Sequence, residues 1–283
     1  MRVFADGESR LTLDAPRRRG TAVVVQSTQP PADTNLLQAL LLVHKAGCIA
    51  DKVVAVVPYM GYARQDREFL RGEIVTIEVV AGLFRAAGAR RVYIVDMHSM
   101  AGLGLFGGLA VNVPAAPALA EHFGRMRLKD PLVVSPDAGG TARAAEFAGL
   151  LGTGHAALEK RRNRRTGSIA VSGPGLPDTE NRDVVLVDDM ISSGGSIIKA
   201  AGFLKGRGCG RIYVACTHAL LVNDAERRIA EAGVEKIVGT NTVWGGTSRV
   251  DVSGLVAEAI EDAASGTRRR SRRAVQTGPQ ISP

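Results

Sequence analysis

Short, unbroken apolar runs recur along the chain and form the clearest pattern in its sequence. Residues 184–187 read VVLV and residues 52–57 read KVVAVV, without alternation of polar and apolar positions. Such runs are typical of parallel strands that are buried on both faces. The same pattern predicts further strands at residues 21–27, 91–95, 132–135, 211–216 and 235–238.

Segments with helical spacing of apolar residues lie between these strands. Residues 33–46 form one of them, and either Asp33 or Thr34 can cap its first turn. Further helices are predicted at residues 76–88, 115–123, 197–206, 224–232 and 253–263. Strands that alternate with helices at this spacing predict an α/β fold, with mainly parallel sheets flanked by helices.

The chain length, 283 residues, suits two domains of ordinary size. We predict a first domain over residues 1–129 and a second over residues 130–265. Residues 266–283 have no periodicity and contain five arginines, so we expect a disordered basic tail.

The distribution of charge argues against a nucleic-acid partner. The net charge is +8, but the tail contributes five positive charges and residues 160–165 contribute another five. The rest of the chain is therefore slightly acidic and lacks the broad basic face of a groove-binding domain. The three cysteines are widely spaced in apolar surroundings, which favours a reducing compartment over a disulfide framework or a zinc site. No apolar run is long enough to span a bilayer, so we expect a cytoplasmic protein without membrane contact.

The strongest candidate for chemistry directly follows the strand at residues 184–187. The carboxylates of Asp188 and Asp189 can accept hydrogen bonds from vicinal sugar hydroxyls or hold a hard cation. A loop of small residues comes next: Ser192, Ser193, Gly194, Gly195 and Ser196. Its amides and hydroxyls can donate to an anion, which the N-terminus of the next helix also attracts. The segment predicts a sugar-phosphate site, and acidic capping of an ordinary turn is the alternative.

A similar order of residues follows the strand at residues 132–135. Asp137 precedes Gly139 and Gly140, and a helix begins directly after them. Capping of that helix could alone explain the aspartate. Two such loops on one sheet nevertheless fit a ligand that carries phosphates at both ends.

Polar segments also follow two strands in the first half of the chain. In the stretch YMGYARQDR, Arg64 offers a guanidinium for polyphosphate and Gln65 an amide for a base edge. His98 follows an aspartate at the end of the strand at residues 91–95, a position that indicates contact with a ligand or phosphate.

Residues 159–167, EKRRNRRTG, form a cationic segment without an apolar anchor, so we expect it to be mobile. Such a segment is usually a run of charged residues that is exposed to solvent and has no specific role. Its position between the two glycine loops instead favours a catalytic role.

These motifs, taken in order, resemble those of the ribose-phosphate diphosphokinases, or phosphoribosyl-diphosphate (PRPP) synthetases, which have the type I phosphoribosyltransferase fold. The resemblance begins with FADGE at residues 4–8 and extends to about residue 263. It implies two phosphoribosyltransferase-like domains, the first of which binds ATP. In one departure, residues 192–196 read SSGGS where many members carry DTGGT.

The resemblance implies an enzyme that transfers the pyrophosphoryl group of ATP to ribose 5-phosphate, giving PRPP and AMP, with Mg²⁺ as the metal. It assigns catalysis to Lys160 and Arg162. The implied ligands of ribose 5-phosphate are Arg162, Asp188, Asp189, Ser192, Ser193, Gly194, Gly195 and Ser196. Asp137, Gly139 and Gly140 match the diphosphate loop, and His98 and Asp137 match residues beside the metal.

The implied ATP contacts are Phe4, Asp6, Glu8, Arg64, Gln65 and His98. In the family the first three reach the ATP base of a neighbouring subunit, so the resemblance implies a homo-oligomer with shared ATP sites. Members also carry a strand and a helix before the FADGE motif, and we expect the native polypeptide to begin upstream of Met1. A phosphoribosyltransferase and a non-catalytic regulatory partner of the family remain the alternative functions.

Overall fold

The computed structural model describes residues 1–162, 169–173 and 175–265. The chain begins with a small antiparallel hairpin of β1 (Arg2–Val3) and β2 (Ser9–Arg10). Gln38 Nε2 donates a hydrogen bond of 2.9 Å to Ser9 Oγ and so ties this hairpin to the first helix.

The first of two larger sheets is parallel and four-stranded, with its strands in chain order. They are β3 (Thr21–Val25), β4 (Lys52–Val57), β5 (Arg91–Val95) and β6 (Ala110–Val113). β4 and β5 have the predicted bounds, and only their first residues are exposed. This burial explains the absence of polar alternation in their sequences.

The second larger sheet is parallel and has the strand order β14-β13-β12-β11-β7-β8. Its strands are β7 (Leu132–Ser135), β8 (Gly154–Ala157), β11 (Val184–Ile191), β12 (Ile212–Ala219), β13 (Val234–Thr240) and β14 (Ser248–Val250). An antiparallel hairpin of β9 (Glu159–Arg162) and β10 (Ile169–Ser172) follows β8.

Helices connect the strands, and several of them bury an apolar stripe. They are α1 (Ala32–Gly47), α2 (Thr76–Ala86), α3 (Met100–Leu105), α4 (Ala116–Gly124), α5 (Thr141–Leu151), α6 (Gly195–Lys205), α7 (Ala225–Glu231) and α8 (Ser253–Ser265). In α2, for example, Ile77, Val80, Ala81 and Phe84 are buried at helical spacing. The predicted α/β class is confirmed.

One hydrophobic core joins the two larger sheets. It contains Val95 of β5 and Val187 of β11. In the same core, Phe123 of α4 and Phe147 of α5 pack edge to face, with ring centroids 5.8 Å apart. The division at residues 129 and 130 stays a prediction, because residues on both sides of it contribute to this core.

The structure differs from the sequence-based expectations at several places. β11 continues four residues beyond the predicted end and contains both aspartates. Part of the segment predicted to be mobile is the strand β9, while residues 163–168 and the predicted tail at 266–283 lie outside the described residues. Cys48, predicted to be in apolar surroundings, is exposed. Within the part of the chain that the structure describes, no helix has the length and apolar character needed to cross a membrane.

Candidate functional site

The carboxyl ends of the two sheets meet at a contact between His98 and Asp189. His98 follows β5 of the first sheet, and Asp189 lies near the end of β11 in the second. His98 Nδ1 donates to Asp189 Oδ2 at 2.6 Å, and this bond leaves Nε2 as the ring nitrogen that can contact a ligand. The contact joins two segments that are 91 residues apart and were predicted separately.

Asp188 and Asp189 form an acid pair that a single guanidinium bridges. Arg143, from the first turn of α5, places Nη1 at 3.4 Å from Asp188 Oδ1 and Nη2 at 3.3 Å from Asp189 Oδ1. The Asp189 side chain is 5% exposed and the Asp188 side chain 21% exposed. Partial desolvation makes this pairing stronger than one on an open surface.

The surroundings separate the proton affinities of the two acids. Burial, followed by the charge of Asp189, raises the pKa of Asp188 to about 7. Burial also acts on Asp189, but the hydrogen bond from His98 and the charge of Arg143 outweigh it and hold the pKa of that carboxyl well below its usual range. The same hydrogen bond raises the pKa of His98. Near neutral pH the pair therefore carries one firm negative charge and one that is close to titration.

The thiol of Cys216 lies directly beside the acid pair. Cys216 is opposite Asp188 in the register of β11 and β12, and its Sγ is 3.7 Å from the Asp189 carbonyl oxygen. The side chain is fully buried, and this burial raises the pKa of the thiol. Cys209 is also buried, and all three cysteines are free.

The serine and glycine loop after β11 lines a cavity of about 340 Å³ together with Asp188, Arg64 and Lys199. Its lining includes all five predicted loop residues: Ser192, Ser193, Gly194, Gly195 and Ser196. Gly194 has φ +75°, and a Cβ at this position would lie 2.8 Å from Ile229 Cδ1 of α7. Both the backbone conformation and the packing therefore require glycine here.

The loop after β7 is held mainly by contacts within itself. Ser135 Oγ donates to the Asp137 carbonyl oxygen at 2.7 Å. A Cβ on Gly140 would overlap the Ser135 side chain, whereas one on Gly139 would meet only Asp137 Oδ1, at 3.3 Å. α5 begins directly after this loop and carries Arg143 to the acid pair.

A second cavity, of about 350 Å³, lies between the first sheet and α5. Its polar lining includes His98, Asp188 and Arg143, and its apolar lining includes Phe147. Asp188 lines both cavities, so it stands between the loop after β11 and the loop after β7. This arrangement suits a ligand that extends from one loop to the other.

Two neighbours predicted to bind ATP have different surroundings. Arg64 lines the first cavity, opposite the serine and glycine loop. Gln65 instead supports the start of α2, where its Oε1 accepts from Thr76 Oγ1 at 2.6 Å and its carbonyl accepts from the Ile77 amide at 3.3 Å. Asp66, which follows, accepts a short hydrogen bond from Ser99 Oγ beside His98.

Phe4, Asp6 and Glu8 lie at the β1–β2 turn and are not among the residues that line either cavity. The turn is closed by a 2.9 Å bond from the Phe4 amide to the Glu8 carbonyl. Within this chain the structure therefore does not bring these three residues to His98.

Lys160 and Arg162 belong to β9, where their backbones are opposite Val171 and Ile169 of β10. The chain enters this hairpin through Leu158, whose amide donates to the Ser135 carbonyl at 3.0 Å. The hairpin therefore begins directly beside the loop after β7.

Sequence reasoning assigned no role to Arg143, Thr217 or His218. The sequence could have indicated Arg143 only as a basic residue in the first turn of a helix that begins after a glycine pair. Thr217 Oγ1 donates to Asp96 Oδ2 at 2.5 Å, and His218 contacts the Val95 carbonyl, so β12 also reaches the first sheet. Their position at the end of a buried strand was the only hint in the sequence.

An acid pair and a serine and glycine loop at the carboxyl edge of a parallel sheet are typical of α/β proteins that bind phosphorylated ligands. Comparison with known proteins narrows this class. The family model for the N-terminal domain of ribose phosphate pyrophosphokinase matches residues 1–88. The model for the phosphoribosyl synthetase-associated domain matches residues 174–267.

Full-length relatives give the same result. The ribose-phosphate pyrophosphokinase of Methanopyrus kandleri is 41% identical over 263 residues, which are 92% of this chain and 88% of the relative. That of Sulfolobus acidocaldarius is 32% identical over 265 residues, with 92% and 90% covered. The crystal structure of phosphoribosylpyrophosphate synthetase from Mycobacterium smegmatis superposes with a TM-score of 0.83 at 30% identity, covering 94% of this chain and 89% of that one. The chain belongs to the ribose-phosphate pyrophosphokinase family, which confirms the resemblance and the predicted fold.

Proposed function

We propose that this chain transfers the pyrophosphoryl group of ATP to ribose 5-phosphate, producing PRPP and AMP. The observation that carries the proposal is the meeting of three separate motifs at one place. The acid pair, the serine and glycine loop and His98 come from both sheets and surround two adjoining cavities. Membership of the family supports the same reaction.

The sugar phosphate occupies the cavity after β11. Its 5-phosphate accepts hydrogen bonds from the amides and hydroxyls of the loop at residues 192–196, at the N-terminus of α6. The ribose hydroxyls donate to Asp188 and Asp189. The ionised Asp189 is the stronger acceptor, because His98 and Arg143 keep it charged.

The reaction joins the two cavities. The anomeric hydroxyl oxygen of ribose 5-phosphate attacks the β-phosphorus of ATP, the bond from that phosphorus to the α-phosphate oxygen breaks, and AMP leaves. The transferred diphosphate lies along the loop after β7, at Asp137, Gly139 and Gly140. Such a transfer depends on alignment and on neutralising the charge that spreads over the phosphoryl oxygens.

Basic side chains from three parts of the chain supply this neutralising charge. Arg143 is held at the acid pair by two contacts. Lys160 and Arg162 belong to β9, the first strand of the hairpin beside the loop after β7, and we assign the main transition-state contacts to them. Arg64, at the wall of the first cavity, binds the ATP polyphosphate.

The side chains at the site suit an Mg²⁺ ion that protein and substrate would hold together. Among the described residues no group of three or more histidine, cysteine or acidic side chains stands together as a metal site. Mg²⁺ is commonly held by one or two carboxylates together with substrate phosphates, so Asp137 would hold it, beside His98. When bound, Mg²⁺ would neutralise charge on the transferred phosphoryl group.

The remaining ATP contacts imply an oligomer. Phe4, Asp6 and Glu8 form an exposed turn outside both cavities of their own chain. We propose that this turn reaches the ATP base of a neighbouring subunit. In Gln65, whose side-chain oxygen is already bonded to Thr76, only the amide nitrogen would be offered to the base.

Phosphorus NMR of the purified protein with ATP, ribose 5-phosphate and Mg²⁺ tests the reaction. We expect PRPP and AMP in equal amounts, and no loss of ATP when ribose 5-phosphate is omitted. Formation of a nucleotide from PRPP and a free base would instead identify a phosphoribosyltransferase. Lack of any turnover would support a non-catalytic partner.

A variant series tests the assignment of the cations. Lys160→Ala is expected to lower the turnover number by about 10²–10³-fold, with little change in the Michaelis constant for ribose 5-phosphate. Arg164→Ala, which removes a neighbouring charge outside the family match, is the matched control and should stay near wild type. Equal losses in both variants would mean that the segment acts only as diffuse positive charge.

A further inference from the structure

A buried histidine, His218, connects the two larger sheets close to the site. His218 lies in β12 of the second sheet and is 2% exposed. Its Nε2 is 3.1 Å from the Val95 carbonyl oxygen of β5, and its Nδ1 is 2.8 Å from Thr242 Oγ1. The ring of Tyr59 packs edge to face on it, with centroids 5.1 Å apart.

These partners determine where the proton of the imidazole resides. A carbonyl oxygen only accepts hydrogen bonds, so Nε2 must carry the proton that is donated to Val95. Nδ1, left without a proton, can then accept from the Thr242 hydroxyl, whose oxygen also lies 2.8 Å from the Thr217 carbonyl oxygen. Burial lowers the pKa of His218, which favours this neutral form. The imidazole therefore acts as a fixed donor from one sheet to the backbone of the other.

The backbone that accepts this hydrogen bond is strained at Asp96, the residue after Val95. Asp96 has φ +41°, a left-handed conformation that few residues other than glycine adopt. Its Oδ1 accepts from the Ala115 amide at 3.2 Å, and its Oδ2 accepts from Thr217 Oγ1 at 2.5 Å. Thr217 and His218 of β12 thus hold both the side chain of Asp96, the residue directly after β5, and the carbonyl of Val95 that precedes it.

The strand register relates this contact to the acid pair. His218 is opposite Met190 of β11, the residue that follows Asp189. Two adjacent positions of the second sheet therefore hold one short segment of the first sheet: His218 holds Val95, and Asp189 holds His98. A shift at the first contact would move His98 relative to Asp189.

We propose that His218 is a positioning residue, which sets the place of His98 against the acid pair through its hydrogen bond to the Val95 carbonyl. The part of this inference that concerns catalysis rests on the proposed function. His218 does not touch the substrate and acts only through the segment at residues 95–98.

Steady-state kinetics of His218→Ala and His218→Gln test the proposal. His218→Ala is expected to lower the turnover number by about 10–100-fold, because a misplacement of roughly 1 Å can cost about 10²-fold. The Michaelis constant for ribose 5-phosphate should change by no more than about twofold, since the loop after β11 is untouched. His218→Gln keeps one donor and one acceptor and should recover most of the loss.

The matched control is Val214→Ala, which removes buried side-chain volume from the same strand without touching these hydrogen bonds. It should lower the unfolding midpoint but leave the turnover number near wild type. If His218→Ala retains full turnover, or if Val214→Ala loses as much, the proposal is wrong. Should His218→Ala fail to fold, Thr242→Val removes the hydroxyl beside Nδ1 together with its contacts to the Thr217 carbonyl and to Thr240 Oγ1. It is expected to lower turnover by about 3–10-fold, and unchanged turnover would count against the proposal.

Hydrogen exchange separates this proposal from the proposed function. The amides of Asp96 and Met97 donate to Val113 O at 3.0 Å and to Asn112 Oδ1 at 2.7 Å. Their exchange should accelerate in His218→Ala and stay slow in Val214→Ala. This outcome would support the positioning role even if the wild-type protein failed to make PRPP, whereas unchanged exchange in His218→Ala would contradict it.

Discussion

The loop after β7 and the loop after β11 share an order of residues, in which an acid precedes a glycine pair and a helix, but they are held differently. In the first loop, Gly140 packs against Ser135 of the same turn. In the second loop, Gly194 packs against Ile229 of α7 and adopts φ +75°. The first loop delivers Arg143 to the acid pair, while the second opens onto a cavity of about 340 Å³.

This difference shows what a glycine motif in a sequence can predict. It predicts backbone amides at the start of a helix, which both loops have. The packing behind the glycines decides whether the loop is an independent binding surface or a support for another one. In this chain we propose the loop after β11 as the main binding surface, while the loop after β7 leads into the helix that brings Arg143 to the acid pair.

The largest effect is expected from removing the link between the two loops. Arg143→Ala leaves the buried Asp189 without one of its two charged partners, which should lower the free energy of unfolding by about 3 kcal/mol. We also expect kcat/KM to fall by about 10²-fold. Denaturant unfolding at pH 7 and steady-state kinetics would measure both effects.

The control for this variant is Arg125→Ala, which breaks an exposed pair with Glu121 on α4. Its expected cost is about 0.5 kcal/mol or less. A similar small cost for Arg143→Ala would mean that the two loops work independently.

The next effect compares the glycines themselves. Gly194→Ala combines a left-handed backbone with a clash against Ile229 and should destabilise the protein by about 2 kcal/mol. Gly139→Ala meets only the Asp137 side chain and should cost about 0.5 kcal/mol or less. Unfolding midpoints would rank the two variants.

A double-mutant cycle identifies the cause of the larger loss. Ile229→Ala removes the atoms that the new Cβ would meet, so the combined variant should lose less than the sum of the single losses. Strict additivity would assign the whole effect to the backbone conformation.

A smaller effect is the pH dependence of stability that we expect from Asp188, which lines both cavities. Burial and the neighbouring Asp189 charge raise the pKa of Asp188 in the folded protein to about 7, far above that of an ordinary aspartate. Between these two pKa values the folded state binds more protons than the unfolded state, so stability falls as the pH rises. Asp188→Asn cannot ionise, and it should exceed the wild type by about 1–2 kcal/mol at pH 8 but not at pH 4. Thermal unfolding of both proteins between pH 4 and pH 8 would measure this difference in stability. A difference that does not vary with pH would contradict the raised pKa of Asp188.

The smallest effect separates the loop hydroxyls. Ser193→Ala removes one donor from the cavity after β11 and should raise the Michaelis constant for ribose 5-phosphate by about 3–10-fold at unchanged turnover. Thr141 Oγ1 in the other loop donates to the Ala138 carbonyl at 2.8 Å, so Thr141→Ala should leave that constant near wild type. A larger change in Thr141→Ala would reverse the assignment of the loops.

The sequence predicted the buried strands of the fold but not all of their ends. β4, β5 and β7 have the predicted bounds, since each is a continuous apolar run. β11 continues past its apolar run because its pairing with β12 extends from Asp188 to Ile191. Polarity indicated an end at that point, whereas backbone pairing does not depend on polarity.

Short strands with weak composition escaped prediction. β6 reads AVNV and β8 reads GHAA, and neither shows a clear apolar run or alternation. Both are edge strands, each held by a single neighbour. Their positions depend on tertiary pairing and not on local propensity.

In the candidate site, too, residues that depend on tertiary contacts could not be predicted from the sequence. Asp188, His98 and the serine and glycine loop could be predicted, because each follows a recognisable strand. Arg143 and His218 could not, because their partners are 45 and 123 residues away in the chain. Only the folded arrangement brings them together.

The buried thiol beside the acid pair makes the opening of β12 measurable. Cys216 is 0% exposed, so a thiol-specific reagent can reach its Sγ only when β12 separates from its neighbours. Cys48 is exposed and would react first, and Cys209 is buried at the end of α6, so replacing both with serine would isolate the signal. The labelling rate of Cys216 would then report how often the strand that carries Asp188 loses its partner, and a bound sugar phosphate should slow it.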